Sequence, residues 1–304
     1  MKLRDLHTLP QLRDSLSYLY IEHATLQRYR QSVEYVDELG RVAIPIASLS
    51  VLLLGPGTSI SHEAVKLLAQ NGCTIVWTGE DASHFYAQGL GETRKGHRLL
   101  QQAALVSDPR LRHEVARRMY AFRFDETLDP DVTLEQMRGK EGVRVRSAYQ
   151  HIGRRYGVKW HGRRYDRGNW DAANPINRAI SAANALLNGL CHAAIVSGGY
   201  SPGLGFIHTG KQLSFVYDIA DLYKLEVTVP IAFQVVALRA ENIELEVRRR
   251  CRAQFTEVKL LERILPDIDA LLQITQDTMP DYDADGALPG PLIQDTGAQA
   301  ETEE

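Results

Sequence analysis

The apolar residues of this chain change their spacing once, near residue 93, and that change limits the folds available to it. Before it, short apolar runs are broken by turn residues; after it, apolar residues recur three and four apart. Strand-like runs occupy 18–21, 33–36 and 42–46, with Asp37-Glu38-Leu39-Gly40 as the turn of a hairpin between the second and third. Pro45 places the third run at a sheet edge, because proline has no N–H to give a ladder. Val51-Leu52-Leu53-Leu54 ends at Gly55-Pro56-Gly57, Ser61 caps a short helix that stops at Asn71-Gly72, and 74–77 and 85–87 return to strand. Gly89, Gly91 and Gly96, set among charged residues, read as a linker reaching His97. Helical spacing then marks 99–106, 111–124, 134–156, 176–195, 213–225, 231–250 and 258–272. The spacing predicts an α+β protein: a β-rich domain over 1–92, a mostly α-helical domain over 93–275, and an acidic flexible tail over 276–304. That tail holds Pro280, Pro289 and Pro291 and no helical spacing.

Composition sets the environment. With 44% apolar and 24% charged residues the chain is of ordinary globular make-up, and no segment is expected to approach the apolar length of a membrane span. The start, Met1-Lys2-Leu3-Arg4-Asp5, has no apolar signal core, so a cytoplasmic location is expected. Cys73, Cys191 and Cys251 are far apart and odd in number, which argues for reduced packing thiols and against disulfides or a CxxC zinc site. The net charge of −3 conceals a division. Residues 276–304 carry eight acidic groups and no Lys or Arg, so removing their −8 from −3 leaves +5 on the body. Between Arg94 and Arg167 there are eighteen Lys or Arg against nine Asp or Glu, the excess a polyanion would need. Basic residues spread over solvated helix faces would give the same count.

Two glycine pairs, Gly55-Pro56-Gly57 and Gly203-Leu204-Gly205, invite a nucleotide reading, and both fail. Gly55-Pro56-Gly57 lacks the third glycine of a dinucleotide fingerprint, and His208-Thr209-Gly210-Lys211 lacks the spaced glycine and hydroxyl residue of a phosphate loop. The segment 213–222 carries more chemistry, because Asp218 and Asp221 interrupt an apolar helical run. With Ser214 they fall on one stripe, while Leu213, Val216 and Ala220 face elsewhere. Two enclosed carboxylates repel and are costly to desolvate, and a divalent cation would relieve both; a solvated amphipathic stripe is the plain alternative. His208 lies ten residues earlier in a glycine-flanked stretch, and imidazole with carboxylate suits Mg²⁺ or Mn²⁺. Glu141, three residues before Arg144, reads by itself as a surface ion pair. Trp160, Arg163, Arg164, Tyr165 and Trp170 interleave cations and rings, which serves either nucleic-acid stacking or the anchoring of a loop.

Three segments together resemble the family of CRISPR spacer integrases, nearest its subtype I-E branch. They are Arg138-Gly139-Lys140-Glu141-Gly142, Trp160-His161-Gly162-Arg163-Arg164-Tyr165, and Gly203-Leu204-Gly205-Phe206-Ile207-His208-Thr209-Gly210 followed by Phe215-Val216-Tyr217-Asp218-Ile219-Ala220-Asp221. The resemblance implies an N-terminal dimerisation domain and a helical catalytic domain that holds one Mg²⁺ or Mn²⁺ through Glu141, His208 and Asp221, with Asp218 a further acidic position beside the metal. It implies metal-dependent endonuclease and strand-transfer chemistry on double-stranded DNA, both captured fragment and CRISPR repeat, in antiviral defence. It also implies homodimers that flank a small ferredoxin-like CRISPR-associated partner subunit. Candidates for DNA contact are Arg138, Arg163, Tyr165, Trp170, Lys211, Tyr217, Lys224 and Arg248. Asn188 departs from the pattern, standing where this branch leads one to expect a tyrosine. A stand-alone structure-specific nuclease, or a non-catalytic DNA-binding scaffold, would use much of the same surface.

The tail has two candidate roles: docking the apolar stretch 288–293 on the partner subunit, or shielding the basic body. Deleting 276–304 is expected to weaken partner affinity or to strengthen non-specific DNA binding, read by pull-down and filter binding. If neither changes, the tail has neither role.

Overall fold

A computed structural model of the chain describes residues 18–38, 40–44, 46, 49–80, 85–89, 96–129, 131–162 and 174–274. The expected tail and residues 90–95 of the expected linker lie outside this set. Strands come first. They are β1 (Tyr18–Ile21), β2 (Thr25–Tyr29), β3 (Ser32–Asp37), β4 (Gly40–Ile44), β5 (Val51–Leu54), β6 (Ser59–Ile60), β7 (Thr74–Thr78) and β8 (Phe85–Gly89), with helix α1 (His62–Gln70) before β7. One sheet has the order β1-β5-β7-β8, with β1, β5 and β7 parallel and β8 antiparallel to β7; the other has the order β4-β3-β2-β6. The expected hairpin is β3–β4, closed by the Gly40 N–H donating to Asp37 Oδ1 at 3.0 Å, and β4 lies at the sheet edge that Pro45 foreshadows. The sequence reading passed over β2 and β6: β2 is a half-exposed strand without clean alternation, and β6 has two residues.

The uninterrupted run Val51-Leu52-Leu53-Leu54 is explained by where β5 sits. All four residues are buried, because both faces of this central parallel strand are covered. Leu52 and Leu54 join Leu26, Val33, Leu68 and Ile75 in a core between the sheets and α1. Val51 and Leu53 turn the other way and, with Val76, meet Ala193 of the helical region.

That region contains α2 (His97–Ser107), α3 (Pro109–Phe124), α4 (Leu134–Tyr156), α5 (Pro175–Ser197), α6 (Ser214–Tyr223), α7 (Val229–Ala237), α8 (Ile243–Glu257) and α9 (Leu260–Leu272), with a π-helical turn, Lys224–Thr228, joining α6 to α7. Helix α5 is central and packs on α6, α7, α8 and α9. Among the described residues it alone is long and apolar enough to cross a membrane, which corrects the expectation that no segment approaches that length. Its apolar character serves the interior instead, since 17 of its 23 residues are buried. The helix expected over 231–250 is two helices. Arg239 takes a left-handed φ of 52° and Asn242 caps the new start through Leu245 N–H, so a local break overrides an apolar spacing that runs on through it. The π-turn has a local cause in Pro230. Proline removes an N–H and crowds the carbonyl four residues back, and the backbone widens so that Val229 N–H reaches Lys224 O instead.

Leu187, fully buried at the middle of α5, carries this core. Leu187→Ala is expected to cost about 2–5 kcal/mol in denaturant unfolding, and a loss under about 1 kcal/mol would contradict the central role of α5.

Candidate active site

The site is built on the loop between α5 and α6, which other elements hold from several sides. From α2 the buried Gln102 donates through Nε2 to the carbonyls of Ser201 and Leu204, both at 3.0 Å, and accepts the Ser201 N–H at 2.8 Å. From α3 Arg112 Nε donates to the Phe206 carbonyl at 3.0 Å. At Gly205 an added Cβ would sit 2.3 Å from the His208 carbonyl oxygen and 2.8 Å from Ser214, so only glycine lets the loop double back on α6.

Asp218 fixes the loop from inside. Its carboxylate is fully buried and accepts the N–H groups of Phe206 (2.6 Å), Ile207 (3.0 Å) and His208 (2.9 Å). Its Oδ1 also meets His208 Nδ1 at 2.7 Å. Hydrogen bonds to a charged acceptor contribute roughly 1.5–3 kcal/mol each, enough together to offset the burial of the charge. The solvated-stripe alternative therefore does not describe Asp218, whose burial is offset by donors of this loop. A carboxylate on Nδ1 makes that nitrogen the donor and leaves Nε2 of the half-exposed ring as the one that could ligate a cation.

Glu141 of α4 and Asp221 of α6 come together on a residue that sequence reasoning missed. Arg123, at the end of α3 and with a side chain only 3% exposed, places Nη1 at 3.7 Å from Glu141 Oε1 and 3.8 Å from Asp221 Oδ2. Its Nη2 donates to the Asp218 carbonyl at 3.1 Å. A signal was present: Arg123 continues the buried stripe Ala116, Met119, Tyr120 of α3, and a charge on an apolar face calls for partners. Gln102 interrupts the buried face of α2 in the same way. Each carboxylate gives its other oxygen to a cation on its own helix or the turn that follows, Glu141 Oε2 to Arg144 at 3.2 Å and Asp221 Oδ1 to Lys224. Burial works to raise the Asp221 pKa, but Lys224, Arg123 and His208 outweigh it and hold the group below the usual carboxylate range. Among the described residues no three His, Cys, Asp or Glu side chains already form a ligand cluster. The donor chemistry still fits a hard divalent cation: two carboxylates trained on one buried positive charge, and an imidazole whose tautomer is set.

Of the other candidates, Lys211 is exposed and Tyr217 lies edge-on to the His208 ring at 6.0 Å. Arg138 is exposed and interacts with Tyr120, and Arg248 stands 3.6 Å from Glu80. Trp160 is partly buried and packs on Tyr149 (4.8 Å) and Phe233 (6.0 Å), so its ring anchors the core. Arg163, Arg164, Tyr165 and Trp170 lie outside the described residues.

This architecture, strands followed by a helical body, is that of solved Cas1 structures. A structure described as a TtCas1–DNA complex superposes with a TM-score of 0.78 at 55% identity, covering 88% of this chain and all of that one. The family profile of CRISPR associated protein Cas1 matches residues 17–129 and 123–244. The chain is 56% identical over 265 residues to the CRISPR-associated endonuclease Cas1 2 of Thermus thermophilus, covering 87% of this chain and 82% of that protein. It is 41% identical to the CRISPR-associated endonuclease Cas1 of Escherichia coli K12, with 86% of each chain covered. The chain belongs to the Cas1 family.

A depressed folded pKa means that Asp221 adds stability above its unfolded value near 3.8 and loses it as the pH falls through the lower folded value. The stability gap between wild type and Asp221→Asn is thus expected to be full at neutral pH and to close below pH 3.8 in urea titrations. A gap that widens on acidification would overturn this electrostatic assignment.

Proposed function

We propose that this chain is a metal-dependent DNA endonuclease and strand-transfer integrase that inserts captured foreign DNA into a CRISPR array as new spacers, within the subtype I-E branch. The observation that carries the reading is the convergence of Glu141 and Asp221 on one buried cation, beside an imidazole clamped by Asp218, in a chain 56% identical to a named CRISPR-associated endonuclease. In the reaction the 3′-hydroxyl of the incoming strand attacks phosphorus at the repeat boundary. One P–O bond forms and one breaks, and the proton lost by the incoming hydroxyl is matched by the one the departing oxygen gains. When bound by Glu141, His208 and Asp221, Mg²⁺ or Mn²⁺ would polarise the phosphoryl oxygen and offset the charge that builds on it.

The chain's own residues do the positioning. Asp218 sets which imidazole nitrogen is presented, and Gln102 and Arg112 hold the loop that carries it. Lys211, Lys224 and Arg248 are assigned to the DNA backbone, and Arg138, Arg163, Tyr165, Trp170 and Tyr217 to further DNA contact. The same reading includes a homodimer formed through the N-terminal domain, a small ferredoxin-like partner subunit between two dimers, and work in the cytoplasm.

The deciding experiment is a strand-joining assay with a labelled short duplex, a repeat-bearing plasmid and the partner subunit, with and without Mn²⁺. His208→Ala and Asp221→Ala are each expected to lower joining by at least roughly a hundredfold while DNA binding is largely retained. Joining at the wild-type rate by either variant overturns the assignment. Cleavage without joining, and with no preference for repeat junctions, would identify a stand-alone nuclease instead.

A further inference from the structure

Among the described residues, Arg123 faces both carboxylates from a side chain that is only 3% exposed. Glu141 and Asp221 each hold a private, more exposed cation three residues on, Arg144 and Lys224, and each turns its remaining oxygen toward the Arg123 guanidinium. At 3.7 and 3.8 Å these approaches are too long for hydrogen bonds, so the interaction is one of charge. The guanidinium is nevertheless fixed. Nη2 is tied to the Asp218 carbonyl, the plane lies over Tyr120 at 5.3 Å, and buried Nε has no acceptor among the described residues. A buried cation with an unmet donor is costly, and what offsets the cost here is the pair of anions in front of it.

We propose that Arg123 is a positioning residue: a buried counter-cation that holds the Glu141 and Asp221 carboxylates facing one another before a divalent ion arrives. The physical reason is that two carboxylates on different helices repel. Without a shared positive charge between them, they would swing apart. Arg123 neutralises that repulsion from the buried side, while the partly open Arg144 and Lys224 hold the outer oxygens, which an arriving ion would take over from them. Because the inference rests on the proposed ligand roles of Glu141 and Asp221, its test includes a measurement that needs no metal.

The full chain and its Arg123→Gln, Arg123→Lys and Arg123→Gln/Glu141→Gln variants are melted in EDTA and in Mn²⁺, with Mn²⁺ binding followed by calorimetry. In EDTA, Arg123→Gln is expected to lower Tm by roughly 5–15 °C, and Arg123→Lys, which keeps the charge, by less. Adding Glu141→Gln, which removes the repulsion, is expected to recover part of that loss. Mn²⁺ is expected to raise the Tm of Arg123→Gln more than that of the wild type, because the ion replaces the missing charge. Equal losses in EDTA and Mn²⁺, with no recovery in the double variant, would mean that Arg123 only packs and would overturn the proposal. If Arg123→Gln does not fold, soluble and folded double variant supports the proposal and its failure to fold overturns it. Absence of Mn²⁺ binding to the wild type would overturn the ligand assignment, whereas the EDTA arm would still decide whether Arg123 holds the two carboxylates.

Discussion

A single buried carboxylate organises this site. Asp218 has no contact with water, and an anion in that position needs donors that cannot move away. Three consecutive backbone N–H groups, from Phe206, Ile207 and His208, supply them, and the loop that carries those groups is thereby folded over α6. The imidazole of His208 follows from the same interaction, because its Nδ1 completes the ring of donors. Gln102 and Arg112 then hold the outer side of the loop, and Gly205 supplies the close approach that a side chain would block. Orientation of the candidate ligand is thus a consequence of satisfying Asp218.

The second organising element is the shared cation behind Glu141 and Asp221. Arg123 reaches this point because α3 packs on both α4 and α6. The neighbouring π-turn matters for the same reason. It begins at Lys224, the partner of Asp221, at the place where Pro230 interrupts the regular ladder, so the backbone feature and the ion pair share one location. Positive charge here has two depths: Arg123 is sealed in, while Arg144 and Lys224 are partly open. Charges that remain in contact with solvent can exchange a carboxylate for a phosphate at small cost, whereas a sealed one serves only what is already in the fold.

The helical body is seated on the strands through α5. Val51, Leu53 and Val76 of the first sheet meet Ala193, and beside them Phe85 stacks on His192 with centroids 3.6 Å apart. Burial lowers the His192 pKa to about 4, so this imidazole is neutral at physiological pH and behaves as a flat packing group. The three cysteines are likewise interior. Cys191 and Cys251 lie in the core around α5, with desolvation pushing Cys251 up to about 12, and Cys73 lies under α1, as reduced packing residues should.

Much of the fold was legible because it is written in local spacing. The changeover from strands to helices, the hairpin ending at Gly40, the Ser61 cap and the limits of the helix over 134–156 all follow from periodicity and turn chemistry. The residues Glu141, His208, Asp218 and Asp221 were also singled out from the chain, the first only through its family resemblance. What sequence could not supply was every relation that depends on elements distant in the chain lying side by side. The burial of Asp218 and the turning of Trp160 into the core are of this kind, and so is the meeting of two carboxylates on Arg123. Sequence determined which residues carry charge and which faces are apolar, since these are properties of a few neighbouring positions. Only the tertiary structure decided which charges face one another and which are sealed from water, because the energy of a charge depends on surroundings that remote segments provide.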